Sequence, residues 1–260
     1  MSGTLERGMQ LLHCLAGYPQ GRALSLLASD LAIPLSATHR LLMELIRLGY
    51  VRQSPGDGQY LLTIKLVSMG LSFLSSSGIV DVAQPMLDEL AASSGELVRL
   101  AVVDGEDLIF VAKAQGATRG LRYDPDMGLS VALSCSAAGH AWLATMSDDE
   151  ALSMLAKKGL APRSQYGPLA PTSLKEALEC VAAARRRGFS TINEMFAPGM
   201  TAMAAAVVND RGVAIGVITI AGPLVRLTPA RMELLSPGLL HTSEAFSRAS
   251  GASQLFRKVA

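Results

Sequence analysis

The apolar positions at the start of the chain recur at helical spacing. Leu5, Met9, Leu12 and Leu15 predict a helix over 4–17, and the cluster Gly17-Tyr18-Pro19-Gln20-Gly21 stops it. Ser25 is placed to cap a short helix over 26–31, and Ala32-Ile33-Pro34 makes a tight connection. A third helix follows from about 35 to 48. Pro34 suits its start, where a missing N–H is not needed, and Gly49 suits its end, where a left-handed residue is common. The period then changes. Tyr50-Val51-Arg52-Gln53 and Gln59-Tyr60-Leu61-Leu62 read as short strands around Ser54-Pro55-Gly56-Asp57-Gly58, a hairpin turn. Three short helices followed by a hairpin is the order of a winged helix-turn-helix.

Residues 65–77 read as a connecting helix, with a domain boundary near Ser75-Ser76-Ser77-Gly78. Beyond it the pattern mixes the two periods. A helix is expected at about 80–93, with Val82, Met86, Leu87 and Leu90 on one side, and strands at 98–103 and 107–113 around Asp104-Gly105-Glu106. A further strand is expected at Leu121–Tyr123, and helices at 136–145 and 148–156, the second capped by Ser147. Thr172-Ser173 caps a helix over 174–186, with Glu176 at the capping-box position and Gly188 at the end. Strands at 189–193, 200–208 and 213–220, the last two joined by Asn209-Asp210-Arg211-Gly212, precede a final helix opened by Thr228-Pro229. The expected fold class is therefore two-domain: residues 1–64 a winged helix-turn-helix, 65–78 a linker helix, and 79–260 an α+β domain built on an antiparallel meander.

Composition changes this picture little. Half of the 260 residues are hydrophobic and 17% are charged, enough apolar content for packed cores. Net charge is +1. Residues 1–70 hold six Lys/Arg against four Asp/Glu, and the remainder 17 against 18, so charge alone does not mark a nucleic-acid binder. Cys14, Cys135 and Cys180 lie far apart without a Cys-x-x-Cys spacing, which suggests neither a disulfide framework nor zinc. No secretory signal or apolar run of about 18 residues stands out, so the expected location is the cytoplasm, with no membrane partner.

The third helix carries the first candidate chemistry. Thr38, Leu41, Leu45 and Leu48 form its apolar face, and Ser36, His39, Arg40, Met43 and Arg47 the opposite stripe. In a helix-turn-helix the second helix lies in the major groove, where Arg40 can bond guanine in bidentate fashion and Ser36 and His39 can reach bases or phosphates. Arg52 and Gln59 on the hairpin can reach the backbone. The DNA-binding set is thus Ser36, Thr38, His39, Arg40, Arg47, Arg52 and Gln59. A polar stripe is also what any solvated helix face looks like; the order of elements around this one favours the DNA reading.

Leu26-Leu27-Ala28, then Ile33-Pro34-Leu35-Ser36-Ala37-Thr38-His39-Arg40-Leu41-Leu42, then Leu48-Gly49-Tyr50-Val51, resemble the DNA-binding half of the IclR family of bacterial regulators. Leu5-Glu6-Arg7-Gly8 matches that family's first helix, and Gly58-Gln59-Tyr60-Leu61-Leu62 its wing. The likeness continues through Gly139-His140-Ala141-Trp142-Leu143-Ala144, Arg187-Gly188-Phe189, Gly199, Ala204-Ala205, Gly222-Pro223 and Arg226-Leu227-Thr228. The chain departs from the family at Leu35, where a basic residue is frequent, and at Ala37, where a hydroxyl residue is.

The resemblance implies a homodimer, or a dimer of dimers, on double-stranded operator DNA, with a GAF-like second domain enclosing a small organic acid. Carried over by position, the lining is Cys135, Ser136, Ala137, Ala138, Ile192, Ala202, Thr219 and Ala221, with a helix N-terminus at 137 to receive a carboxylate. Ile192 stands where acid-binding members tend to carry an acidic residue, Met195 where a Glu is common, and Ala202 and Ala221 where Cys or Ser is frequent. Each change removes a polar anchor, which favours a monocarboxylate with an apolar body. No cofactor or metal is implied. The rival reading is an enzyme using Cys135 and His140, beside a vestigial first domain. One Cys and one His lack the orienting third group that catalysis usually shows, and the reading adopted is a regulator. Arg185-Arg186-Arg187 is the dipole-favoured end of a helix.

Overall fold

A leucine-rich face on each of three short helices builds the first of two units into which the chain divides, Met1–Ser76 and Ser77–Ala260. The structure, a computed structural model, describes residues 3–125, 128 and 130–250. In the first unit, α1 (Thr4–Ala16), α2 (Leu24–Asp30) and α3 (Leu35–Arg47) precede a hairpin of β1 (Val51–Gln53) and β2 (Tyr60–Leu62), and α4 (Lys65–Ser77) follows. Leu11, Leu15, Leu27, Leu42, Val51 and Tyr60 meet in its core. The hairpin register pairs Val51 with Leu62 and Gln53 with Tyr60. Gly58, at φ +69°, lets the turn close, and Gln53 Nε2 donates to its carbonyl at 3.0 Å. The connection from α2 to α3 passes through Ala32 at φ +51°, a left-handed conformation carried without glycine.

Three local expectations are corrected. Ser25 does not cap α2; that helix begins at Leu24 with Ala23 as its cap residue and no side-chain cap bond. Leu48 is 41% exposed, whereas Leu42 is fully buried, so the core face of α3 is Thr38, Leu41, Leu42 and Leu45. Leu121–Tyr123 is not a strand but part of a long loop after β4 (Asp107–Gln115).

The second unit is a five-stranded antiparallel sheet. Its order is β4, β3 (Leu97–Asp104), β7 (Ala214–Pro223), β6 (Met200–Val208), β5 (Ser190–Asn193). Helices α5 (Ile79–Ser94) and α9 (Pro229–Ser250) cover one face; Leu87, Leu90, Phe246 and Leu239 pack there on Leu100, Met203 and Ile218. On the other face lie α6 (Ala137–Leu143), α7 (Asp148–Lys158) and α8 (Leu174–Arg187), with Trp142, Leu143, Leu155 and Val181 against Ala101, Ala204 and Val217. Because helices cover both faces, β3 and β7 are buried along nearly their whole length instead of alternating. α7 starts with a capping box, Ser147 with Glu150. α8 starts with Ser173 accepting from the Glu176 amide, while the Glu176 carboxylate bonds Thr172.

Candidate nucleic-acid interface and ligand cavity

α3 turns its apolar side inward, and this sets what it offers outward. Ser36, His39, Arg40, Met43 and Arg47 are all exposed along one stripe. Arg40 makes no ion pair or hydrogen bond among the described residues, so its guanidinium is available to a partner. Arg47 is engaged: its Nε donates to Glu44 at 3.0 Å and its Nη2 pairs with the same carboxylate. On the hairpin Arg52 is exposed and Gln59 half-buried, with the Gln59 amide held by Asp57 at 3.1 Å. Thr38 is a correction. It is fully buried, and its hydroxyl donates to the Pro34 carbonyl at 3.2 Å, so it fixes the start of α3 and cannot face a groove.

The second unit holds a cavity of about 440 Å³ on the α6 side of the sheet. Seven of the eight residues expected to line it do so: Ser136, Ala137, Ala138, Ile192, Ala202, Thr219 and Ala221. The strand register explains the grouping. Ala202 lies opposite Ala221 on β7 and opposite Ile192 on β5, so the three share one patch of the sheet. Gly139 lets α6 pack closely on the segment just before it; a Cβ there would stand 2.4 Å from the Leu133 carbonyl oxygen.

Cys135, the eighth, is not in the lining. It is fully buried in a satellite cluster with Ala161 and Ala170, and burial pushes its thiol up to about 12. A thiol at that value holds its proton at neutral pH and is no nucleophile. His140 is buried and pushed toward its neutral form by desolvation. Its Nε2 lies 2.9 Å from the Ser134 carbonyl, and that oxygen can only accept, so Nε2 carries the proton and donates. No hydrogen bond joins His140 to Cys135 among the described residues. The pair lacks the activated thiolate and the base contact that the enzyme reading needs. Among the described residues no three His, Cys, Asp or Glu side chains gather as metal ligands, and no single helix is long and apolar enough to cross a membrane.

Several lining residues were not anticipated from the sequence: Arg99 on β3, Phe110 on β4, Tyr123 in the loop after β4, and Tyr166 and Phe196 beyond α7 and β5. Tyr166 and Phe196 meet edge-to-face with ring centroids 5.5 Å apart. Arg99 is 8% exposed, its guanidinium lies 3.6 Å over the Phe110 ring, and burial lowers it to about 10. It is still a cation at neutral pH. The loop that brings Tyr123 over the cavity is tied at several points. Gln115 Nε2 donates to the Tyr123 carbonyl at 2.9 Å, Lys113 and Arg122 pair with Asp124 at 2.6 and 3.1 Å, and Arg226 donates to the Leu121 carbonyl at 2.7 Å. Arg226 also grips the buried Glu96 carboxylate through two bonds of 2.7 Å.

Comparison with known proteins covers both units. Residues 4–55 match the IclR helix-turn-helix domain, and residues 71–248 match the C-terminal domain of the bacterial transcriptional regulator IclR. The transcriptional repressor IclR of Escherichia coli strain K12 is 33% identical over 231 residues, covering 88% of this chain and 83% of that protein. Among solved structures, an IclR transcriptional regulator from Alicyclobacillus acidocaldarius superposes with a TM-score of 0.82 at 20% identity, over 96% of this chain and 99% of that one. An IclR homologue from Microbacterium hydrocarbonoxydans, solved in complex with 4-hydroxybenzoate, gives 0.77 at 20% identity, over 95% of this chain and 100% of the other. The two structural likenesses are of fold.

Proposed function

The chain belongs to the IclR family of bacterial transcriptional regulators, and on that premise we propose that it represses transcription from an operator whose occupancy a small organic acid controls. The observation that carries this reading is one chain holding both halves of such a device: a helix that exposes Ser36, His39 and an unpaired Arg40, and an apolar cavity of about 440 Å³ containing a buried cation. The volume lies within the roughly 300–1,000 Å³ usual for small-molecule sites. Ser36, His39 and Arg40 read base edges or phosphates, Arg52 and Gln59 hold the backbone, and Arg47 adds charge when it leaves Glu44.

The effector is a monocarboxylate with an apolar body. Phe110, Ala137, Ala138, Ile192, Phe196, Ala202 and Ala221 make the apolar part of the wall, so a body rich in hydroxyls laid against them would lose water contacts there unrepaid. The homologue holding 4-hydroxybenzoate, an aromatic monocarboxylate, is consistent with this class. The active species is a dimer, or a dimer of dimers, acting in the cytoplasm. Val67, Met69, Leu71 and Phe73 of α4 each expose more than half of their surface, an apolar area that self-association would cover. Two copies of α3 then read half-sites about one helical turn apart. A bound acid shifts operator affinity only insofar as it prefers one of two arrangements of the dimer, and α4 connects the units between which that preference must pass.

Fluorescence anisotropy on the chain's own upstream DNA tests the reading. Specific binding should fall about 5- to 150-fold for Arg40→Ala, the discrimination a bidentate guanine contact supplies, and an apolar acid should weaken it further. Equal binding of wild type and Arg40→Ala to any DNA at every salt concentration would refute it. Sedimentation of the free protein should return a dimer or tetramer and not a monomer.

A further inference from the structure

The sheet wall of the cavity leaves two polar groups without partners. Arg99 is more than nine-tenths buried, its Nε has no hydrogen-bond partner, and the residue makes no ion pair among the described residues. Thr219 is 2% exposed and its Oγ1 has no partner either. The two sit directly opposite one another where β3 pairs with β7, and both line the cavity. Burying a charge or a hydroxyl without a partner is costly, and the great majority of such groups are satisfied. This fold can satisfy a guanidinium when it needs to: Arg226 is bonded through two nitrogens to Glu96. At Arg99 the negative partner is missing. Asp124 on the nearby loop is bonded instead to Lys113 and Arg122.

The rest of the site narrows what the missing partner is. The start of α6 is a weaker host for an anion than Arg99. The helix has seven residues, and Ser136 Oγ already takes the Gly139 amide at 3.0 Å. Ile192, Ala202, Ala221 and Phe196 offer nothing to a second charge, and the polar side chains that also line the cavity, Tyr123, Asp124, Ser130, Ser136, Tyr166 and Thr201, include no second cation. The dimensions matter too. Crossing from β3 over β7 and β6 to β5 is three strand spacings, about 14 Å. A volume of about 440 Å³ is roughly three times the ~150 Å³ apolar cavity that accepts one benzene molecule.

We propose that Arg99 and Thr219 form the carboxylate subsite of this cavity, and that its ligand is an aromatic monocarboxylate larger than benzoate, an arylalkanoate or a fused bicyclic acid. The guanidinium fork takes both carboxylate oxygens, the Thr219 hydroxyl donates to one of them, and the ring system runs across β7 and β6 toward Ile192 and Phe196. The Phe110 ring, 3.6 Å from the guanidinium, holds it in place. The inference rests on the cavity being the effector site and adds the end at which the acid is held and the size of its body.

Calorimetric titration of the full chain tests this with 3-phenylpropanoate, 2-naphthoate, benzoate and the neutral amides of the first two. Wild type should bind at least one of the larger acids more tightly than benzoate and at least tenfold more tightly than its amide. Arg99→Met should abolish the difference between acid and amide, Arg99→Lys should keep part of it, and Thr219→Val should reduce acid affinity several-fold. Thermal melts of each variant establish that it is folded. Equal acid binding by wild type and Arg99→Met, or amides as tight as acids, overturns the subsite and leaves the effector cavity standing. If none of the acids binds wild type, the subsite and the acid-effector reading fall together.

Discussion

Replacing Arg99 by methionine should make the empty protein more stable, contrary to the usual effect of a buried substitution. Burial lowers the Arg99 guanidinium well below its ordinary value, to about 10, even with the attraction of Tyr123 and Asp124. At about 1.4 kcal/mol per unit, holding this charge costs the fold about 3 kcal/mol. The Phe110 ring 3.6 Å away returns about 0.5–2 kcal/mol. Methionine removes both terms and fills the site with a flexible apolar chain, for a net gain of about 1–2 kcal/mol. In a unit of this size each kcal/mol moves Tm by about 2–4 °C, so the second unit should melt about 2–8 °C higher. The pH dependence has a definite sign. Below pH 10 the guanidinium is protonated in both folded and unfolded chains and the cost is full. Above 10 the folded chain releases its proton before the unfolded chain does, and the cost shrinks. The advantage of Arg99→Met should thus be flat from pH 6 to 9 and begin to close only above 10. Scanning calorimetry without added acids measures it. A Tm equal to or below that of wild type would show that Arg99 contributes to packing in the empty state and is not held in reserve for an anion.

Three other outcomes are expected. Ala32→Gly should stabilise the first unit by about 0.5–1 kcal/mol, because Ala32 holds φ +51° at a steric cost that glycine lacks and only partly offsets by its entropy; urea denaturation followed by circular dichroism reads it. Arg226→Met should destabilise the second unit by about 2–3 kcal/mol, since it leaves the Glu96 carboxylate buried and unpaired and frees the Leu121 carbonyl; a melt unchanged from wild type would count against the bridge. Iodoacetamide at pH 8 with peptide mapping should leave Cys135 unlabelled in the folded protein and label it on unfolding, as a thiol pushed up to about 12 inside a closed cluster requires.

The legible parts of this chain were those whose signal is local. The helical spacing of Leu5 to Leu15, the Pro34 start of α3 and the Gly-rich hairpin turn each follow from backbone sterics within a few residues, and the structure has α1, α3, β1 and β2 within a residue or so of the expected spans. Errors came where a neighbour decides. Ser25 has the side chain of a cap, but α2 starts two residues after Arg22, which is bonded to Asp30 and bridged to Tyr60. Leu48 and Leu42 are equally apolar; which one is buried depends on the angle at which α3 meets α1. Thr38 carries a hydroxyl on the helix expected to read DNA, yet it lies on the inward side.

The sequence by itself determined the kind of machine: a winged helix-turn-helix with a polar outward stripe on α3, then an α+β domain whose small residues at 137, 138, 202 and 221 leave room for a ligand. Repeating periods and turn residues specify the elements because they act on the chain's own backbone, while the small lining positions came from the resemblance to the IclR family. What only the tertiary structure decided is the chemistry inside that room. Arg99 sits in Leu97-Val98-Arg99-Leu100-Ala101, where alternation alone would place a lone arginine in water. It is buried because α6 and the loop through Tyr123 cover that face of β3, and it lacks a counterion because every nearby acid is bonded elsewhere. Cys135, adjacent to the cavity in sequence, is outside it for the same kind of reason: Ala161 and Ala170, more than twenty residues on, close around it. Long-range packing sets the desolvation of a charge, and desolvation is what turns an ordinary arginine into a candidate ligand site.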